Sequence, residues 1–130
     1  MPSLTINLWG RQFNLEVIYD LLDNEEISAN QTKALEALTS SWGVVENALE
    51  DVKQYCLNDN QNGINDKQLA NIFKYVVPQA LYICRAEITR VVGLLCAYRF
   101  DPEHNLALIF ENERLRESGR GHSAVMFRSN

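Results

Sequence analysis

Asp101, Glu103 and His104 place two carboxylates and an imidazole within four residues, the donor types that hold a divalent metal or share general acid and base work. Three donors on one tight turn diverge more readily than they converge, and no second His, Cys or acid cluster stands ready to complete a ligand set. Asp101-Pro102 also opens an ordinary turn, in which the aspartate side chain bonds backbone two residues on. The catalytic reading requires a deep pocket on which the three side chains converge; the turn reading requires none. His122, flanked by Gly121 and Ser123, is a polar tail residue. Nucleophile sets are missing as well: there is no G-x-S-x-G elbow, and Ser123, the one serine beside a histidine, lies in the tail. Gly119-Arg120-Gly121 is too short and wrongly placed for a phosphate loop. Cys56, Cys84 and Cys96 are odd in number and embedded in apolar segments, the pattern of reduced core thiols. The expectation is a non-enzymatic protein with no catalytic residues, no metal and no cofactor.

Charge points toward binding. Residues 1–66 hold eleven acids against three bases, a net of −8, and residues 67–130 hold nine bases against six acids, a net of +3. The negative half repels nucleic acid and suits a basic protein partner, although a solvated face that only keeps the protein soluble would look the same. Arg85, Arg90, Arg99, Arg114, Arg116 and Arg120 alternate with acids, and Tyr75, Tyr82 and Tyr98 near them read as core or half-buried rings, so no nucleic-acid surface is expected. Trp42 belongs to an apolar stripe and should be buried. Trp9, beside a turn glycine, is the candidate exposed tryptophan of a protein-binding hot spot.

These residues must be positioned by a single domain of 130 residues, long enough to bury a core without staples. No run is long and apolar enough for a membrane span, and residues 1–10 lack the basic and apolar regions of a secretory signal, so a cytoplasmic protein is expected. Leu4, Ile6 and Leu8, then Phe13, Leu15, Val17, Tyr19 and Leu21, alternate on either side of Gly10-Arg11 as a β-hairpin, with Gly10 first in a two-residue turn. In residues 29–57, Leu35, Leu38, Trp42, Val45, Leu49, Val52 and Cys56 recur at spacings of three and four, one stripe along one long helix. Ser28 and Gln31 have the form of a capping box at its start. Gly43 threatens a break, but the stripe keeps its phase, which predicts a continuous helix with at most a kink. The end falls near residues 56–59, before the turn-forming Asn60-Gln61-Asn62-Gly63. Asp66 should cap a second, short helix over residues 67–75 that buries Leu69, Ile72 and Phe73. Strands follow at 80–85, 91–100, 106–111 and 114–118, and the tail from Gly119 has little pattern. The fold class expected is α+β, an antiparallel sheet backed by one long helix and a second short one.

Residues 91–119, VVGLLCAYRFDPEHNLALIFENERLRESG, resemble a family of small bacterial domains without assigned chemistry. In that family an apolar strand ending in an aromatic leads through an Asp-Pro-Glu-His-Gly turn into a second apolar strand, an Asn-containing turn and a short strand ending in Gly. Phe100, Asp101, Pro102, Glu103, His104, Glu111, Asn112 and Gly119 match; Asn105 stands where glycine is usual, a residue that tolerates a left-handed backbone. The hairpin and long helix upstream, with Ala34-Leu35 and Tyr55, are similar in layout. The family includes immunity proteins of contact-dependent growth inhibition (CdiI-like) toxin systems.

That resemblance implies an immunity protein that binds a cognate toxin C-terminal domain, of nuclease type, and blocks it stoichiometrically. The motif itself reads as fold-maintaining. The expected contacts are Asp20, Asp23, Glu25, Glu26, Glu46, Glu50 and Asp51, with Trp9, on a monomer or weak homodimer that touches neither nucleic acid nor membrane. A regulatory or scaffold binding module without a toxin partner is the alternative.

Overall fold

The computed structural model describes residues 2–59 and 63–121. The alternating residues of the first hairpin form β1 (Ser3–Leu8) and β2 (Arg11–Tyr19), paired antiparallel from Ser3↔Glu16 to Leu8↔Arg11. The turn is Trp9-Gly10, one residue earlier than the pattern suggested. Both have positive φ, 53° and 88°, as a two-residue turn that matches the strand twist demands. Gly10 is therefore second in the turn, and Trp9 takes the left-handed position that a side chain disfavours.

The chain then leaves the sheet through residues 20–28 and enters helix. Ser28 Oγ accepts from the Gln31 N–H at 3.1 Å, and Gln31 Oε1 accepts from the Ser28 N–H at 3.0 Å, so the expected capping box is formed. The one long helix is not. It is divided into α1 (Ala29–Ser40), α2 (Gly43–Asn47) and α3 (Leu49–Asn58). Ser41, at φ −115° and ψ 35°, leaves helical geometry, whereas Trp42 and Ala48 keep it. Gly43 opens the second segment. The stripe survives the break because Leu38, Val45, Val52 and Cys56 still face one core, with Leu35, Trp42 and Leu49 packed against it. α3 ends at Asn58, capped by Asp59, as the turn residues beyond it suggest. Of that turn, residues 60–62 lie outside the described residues, and Gly63 is left-handed.

The second helix is replaced by two 3-10 turns, Gln68–Ala70 and Ile72–Lys74. Asn65 caps the first, not Asp66: its Oδ1 accepts from the Gln68 N–H at 3.1 Å while Gln68 Oε1 accepts from the Asn65 N–H at 3.0 Å. Leu69 and Ile72 are buried as expected, and Phe73 is half-buried.

β3 (Val76–Ile83), β4 (Val91–Tyr98), β5 (Asn105–Glu111) and β6 (Arg114–Gly121) continue the sheet in chain order, β1-β2-β3-β4-β5-β6. All pairs are antiparallel except β2 with β3, which run parallel across Glu16↔Ala80 to Tyr19↔Ile83. A chain that leaves one strand, crosses over in helices and returns beside it arrives parallel. β3 begins four residues earlier than its pattern suggested because Pro78 is accommodated in the strand: the register shifts there, and Pro78 lies beyond the stretch paired with β2. β6 runs on to Gly121, further than expected. Asn105 begins β5 and is not left-handed.

Val92, Leu94, Cys96 and Tyr98 face the helices and join the main core, while Val91 joins Ala107, Ile109 and Cys84 on the reverse face. The alternation read from β4 thus separates the two faces as expected. α2 lies against both the β1–β2 turn and β6, so the sheet curls around the helices.

Candidate partner-binding surface

The residues with catalytic chemistry lie at the end of the sheet where β4 stops and β5 starts. Asp101 accepts from or shares a proton with His104 Nδ1 at 3.0 Å, and its Oδ2 accepts from Arg120 Nη1 at 3.0 Å. Arg120 also donates through Nη2 to Asp59, which accepts a second bond from the Tyr98 hydroxyl at 2.8 Å. The guanidinium lies over the Tyr98 ring, 5.1 Å from its centroid. The His104 bond, aided by Arg120, holds the Asp101 carboxyl below the usual carboxylate range, and burial pushes the Tyr98 hydroxyl up. Cys56, against Tyr98, is raised by burial to about 11 and is therefore a neutral thiol at pH 7. Glu103 is exposed and outside this set. Asp101 and His104 do meet, contrary to the divergent turn, but with a guanidinium and a phenol that tie β4, β6 and the end of α3 together. The arrangement joins elements; a groove lies at the opposite end of the sheet.

Trp9 is a pin, not an exposed anchor. Its backbone N–H donates to Glu46 Oε1 at 2.9 Å, its indole Nε1 to the Val45 carbonyl at 3.2 Å, and its ring stacks on Phe73 at 6.4 Å between centroids. These contacts fix its left-handed backbone against α2. Trp42 answers from the helix side, half-buried, donating its Nε1 to the Asn7 carbonyl at 2.8 Å.

The seven acidic residues do not form one face. Glu46 is bonded to Trp9 at one end of β2, and Asp20 follows the other end, a strand of nine residues away, or roughly 25–30 Å at the rise of extended chain. Glu50 and Asp51 are exposed in the first turn of α3. Asp20, Asp23, Glu25 and Glu26 remain together on the loop at 20–28.

That loop borders a groove of about 670 Å³, whose other wall is the β3–β4 loop at 84–90; Glu25, Glu26 and Asn30 line one side, and Arg85, Glu87 and Ile88 the other. Arg85 grips Glu25 with two parallel bonds, Nε to Oε1 at 2.8 Å and Nη2 to Oε2 at 2.9 Å. With a further bond from the Leu22 N–H, this pairing lowers the Glu25 pKa. Asn30 Nδ2 donates across the groove to the Ala86 and Thr89 carbonyls at 2.6 and 2.9 Å. Gln31, 1% exposed, donates its Nε2 to the Asp20 and Ile83 carbonyls. The large apolar side chains exposed among the described residues are Leu21, Leu22, Ile27 and Ile88 at 38, 53, 48 and 85%. All four lie on these two loops. Sequence reading missed them because an isolated isoleucine or leucine carries no signal of exposure; Leu21-Leu22, running past the last paired residue of β2 into an acidic loop, is the one visible hint.

A family model described as "Domain of unknown function (DUF6985)" matches residues 2–124, nearly the whole chain. The chain belongs to the DUF6985 family. The DUF6985 match spans the hairpin, the helices, the Asp-Pro-Glu-His turn and both groove loops, so the architecture above belongs to the family unit. No curated protein and no solved structure matches the chain. Among the described residues, no group of three His, Cys, Asp or Glu side chains is arranged to hold a metal ion, and no helix is long and apolar enough to cross a membrane.

Proposed function

We propose that this chain is an immunity protein that neutralises a cognate contact-dependent growth inhibition toxin by stoichiometric binding, acting in the cytoplasm without catalysis. The observation that carries the binding role is the gathering of Leu21, Leu22, Ile27 and Ile88 on two adjacent loops among Asp23, Glu26 and Glu87. Exposed apolar side chains clustered at one place, rimmed by polar groups, are characteristic of a protein-binding surface. The toxin partner is supported by the resemblance of the strand–turn–strand segment at 91–119 to a family of small bacterial domains that includes immunity proteins. The acidic rim favours a basic, nuclease-type domain and speeds its encounter. Within the acidic set, Asp23 and Glu26 are the contact charges. Glu25 and Asp20 serve the groove wall, since Glu25 holds Arg85 and Asp20 faces the Arg85 backbone.

The test is co-expression with the toxin domain encoded at the adjacent locus. Growth rescue together with a one-to-one complex that weakens at high salt supports the proposal; absence of both rescue and complex overturns it.

A further inference from the structure

We infer that the groove between residues 25–31 and 85–88 is a preorganised seat for a single Lys- or Arg-bearing apolar segment of the protein partner. This rests on the protein-binding reading and names the chemistry that the surface accepts.

The walls are fixed before anything binds. Asn30 bridges from the first turns of α1 to two carbonyls of the opposite loop, and buried Gln31 ties α1 to the ends of β2 and β3. The Arg85–Glu25 pair joins the two loops with two bonds. A site whose walls are already held loses little conformational freedom on binding, which favours affinity.

The lining selects the occupant. Glu25, Glu26 and Glu87 contribute three carboxylates against the one guanidinium of Arg85, and that guanidinium is already matched by Glu25. An acidic segment would bring like charge to a negative groove. A wholly apolar one would leave Glu26 and Glu87 facing it. A segment with an apolar side chain to lie on Ile88, flanked by Lys or Arg to meet Glu26 and Glu87, satisfies both.

Two synthetic pentapeptides probe this, acetyl-Lys-Leu-Arg-Ile-Lys-amide and acetyl-Glu-Leu-Glu-Ile-Glu-amide, titrated into the isotopically labelled full chain and followed by backbone amide shifts. The basic peptide is expected to move the amides of Leu22, Glu26, Asn30, Ala86 and Ile88, and the acidic one to leave them in place. Ile88→Ser should weaken the basic peptide tenfold or more, and the double variant Glu26→Gln with Glu87→Gln at least threefold with a flatter salt dependence. Ile88 is so exposed that its replacement leaves the fold intact. The inference is overturned if neither peptide moves these amides, if the acidic peptide moves them equally, or if the variants bind as the parent does. Failure here with toxin co-purification retained removes the groove and keeps the binding role. Peptide binding without a toxin complex keeps the groove and removes the toxin.

Discussion

At the end of the sheet where β4 stops, Asp59, Asp101, His104 and Arg120 bond one another and Tyr98, while Tyr75 stacks on Phe100 at 5.5 Å beneath them. At the end where β2 and β3 stop, a groove lies open with Ile88 and carboxylates in its lining, and Leu22 is exposed on one of its two loops. The residue types usually read as chemistry serve architecture at the first end, and ordinary aliphatic side chains form the candidate surface at the second. A histidine, two aspartates and an arginine inside one network orient each other and join β4, β6 and the end of α3. Isoleucine at 85% exposure has no internal partner to satisfy, so its energy is gained only when something covers it.

The contrast predicts opposite outcomes for stability and for binding. Tyr98→Ala removes a fully buried ring and is expected to cost about 3–5 kcal/mol in chemical denaturation, the range for large aromatic truncations in cores. A cost under about 1 kcal/mol would show that the sealed end is not structural. Leu22→Ser with Ile88→Ser is expected to weaken the toxin complex about thirtyfold, or about 2 kcal/mol in a hot spot, while stability stays within about 0.5 kcal/mol; isothermal calorimetry and urea melts on the same sample measure both. Full affinity in that variant would erase the distinction between the ends. Arg120→Ala should destabilise by about 1.5–3 kcal/mol, the usual worth of charged hydrogen bonds, with toxin affinity unchanged.

Asn30→Ala sharpens the comparison, because that residue is structural and yet lies at the binding end. Loss of its two bridges is expected to cost about 1–2 kcal/mol and also to loosen the groove, read as faster amide exchange at residues 86–89. The smallest effect concerns pH. The folded-state Glu25 pKa lies below its unfolded value, so its contribution is present above about pH 4.3 and fades as pH falls through the lowered value. Glu25→Gln should therefore flatten the decline of stability on acidification below about pH 4, by a small amount because the pair is exposed and screened by solvent.

Much of this architecture was legible in period and cap. The alternation of Leu4, Ile6 and Leu8, of Phe13 to Tyr19 and of Val91 to Tyr98, the Ser28–Gln31 capping box and the core-facing stripe all appear as read, while Leu21 and Phe100 fall beyond the ends of their strands. The small polar residues and glycine at 39–43 mark where the helix divides at Ser41, but the unbroken phase of the apolar stripe argued for continuity, because a break that keeps apolar residues on one core also keeps their phase. The parallel pairing of β2 with β3 leaves no mark on the strands themselves and follows only from where the helices intervene. Trp9 is partly exposed, but its indole and backbone partners, Val45 and Glu46, are remote in sequence and could not be read from it. The acidic set was readable as charge but not as place, since Glu46 and Asp20 are brought to opposite ends of one strand.

That parallel seam has a consequence for how the molecule comes together. The β1–β2 hairpin and the β3–β6 meander are each built from neighbours in sequence, and both can zip locally. Residues 20–75 must be gathered before Val17 can lie beside Leu81, and ordering so long a connection is slow compared with closing a hairpin. The groove loops flank this seam directly, so the groove is completed only at the last step of assembly, and a half-assembled chain lacks it. Pulse-labelled hydrogen exchange would place the amides of residues 16–19 and 80–83 among the last protected; protection there ahead of the two local blocks would reverse that order.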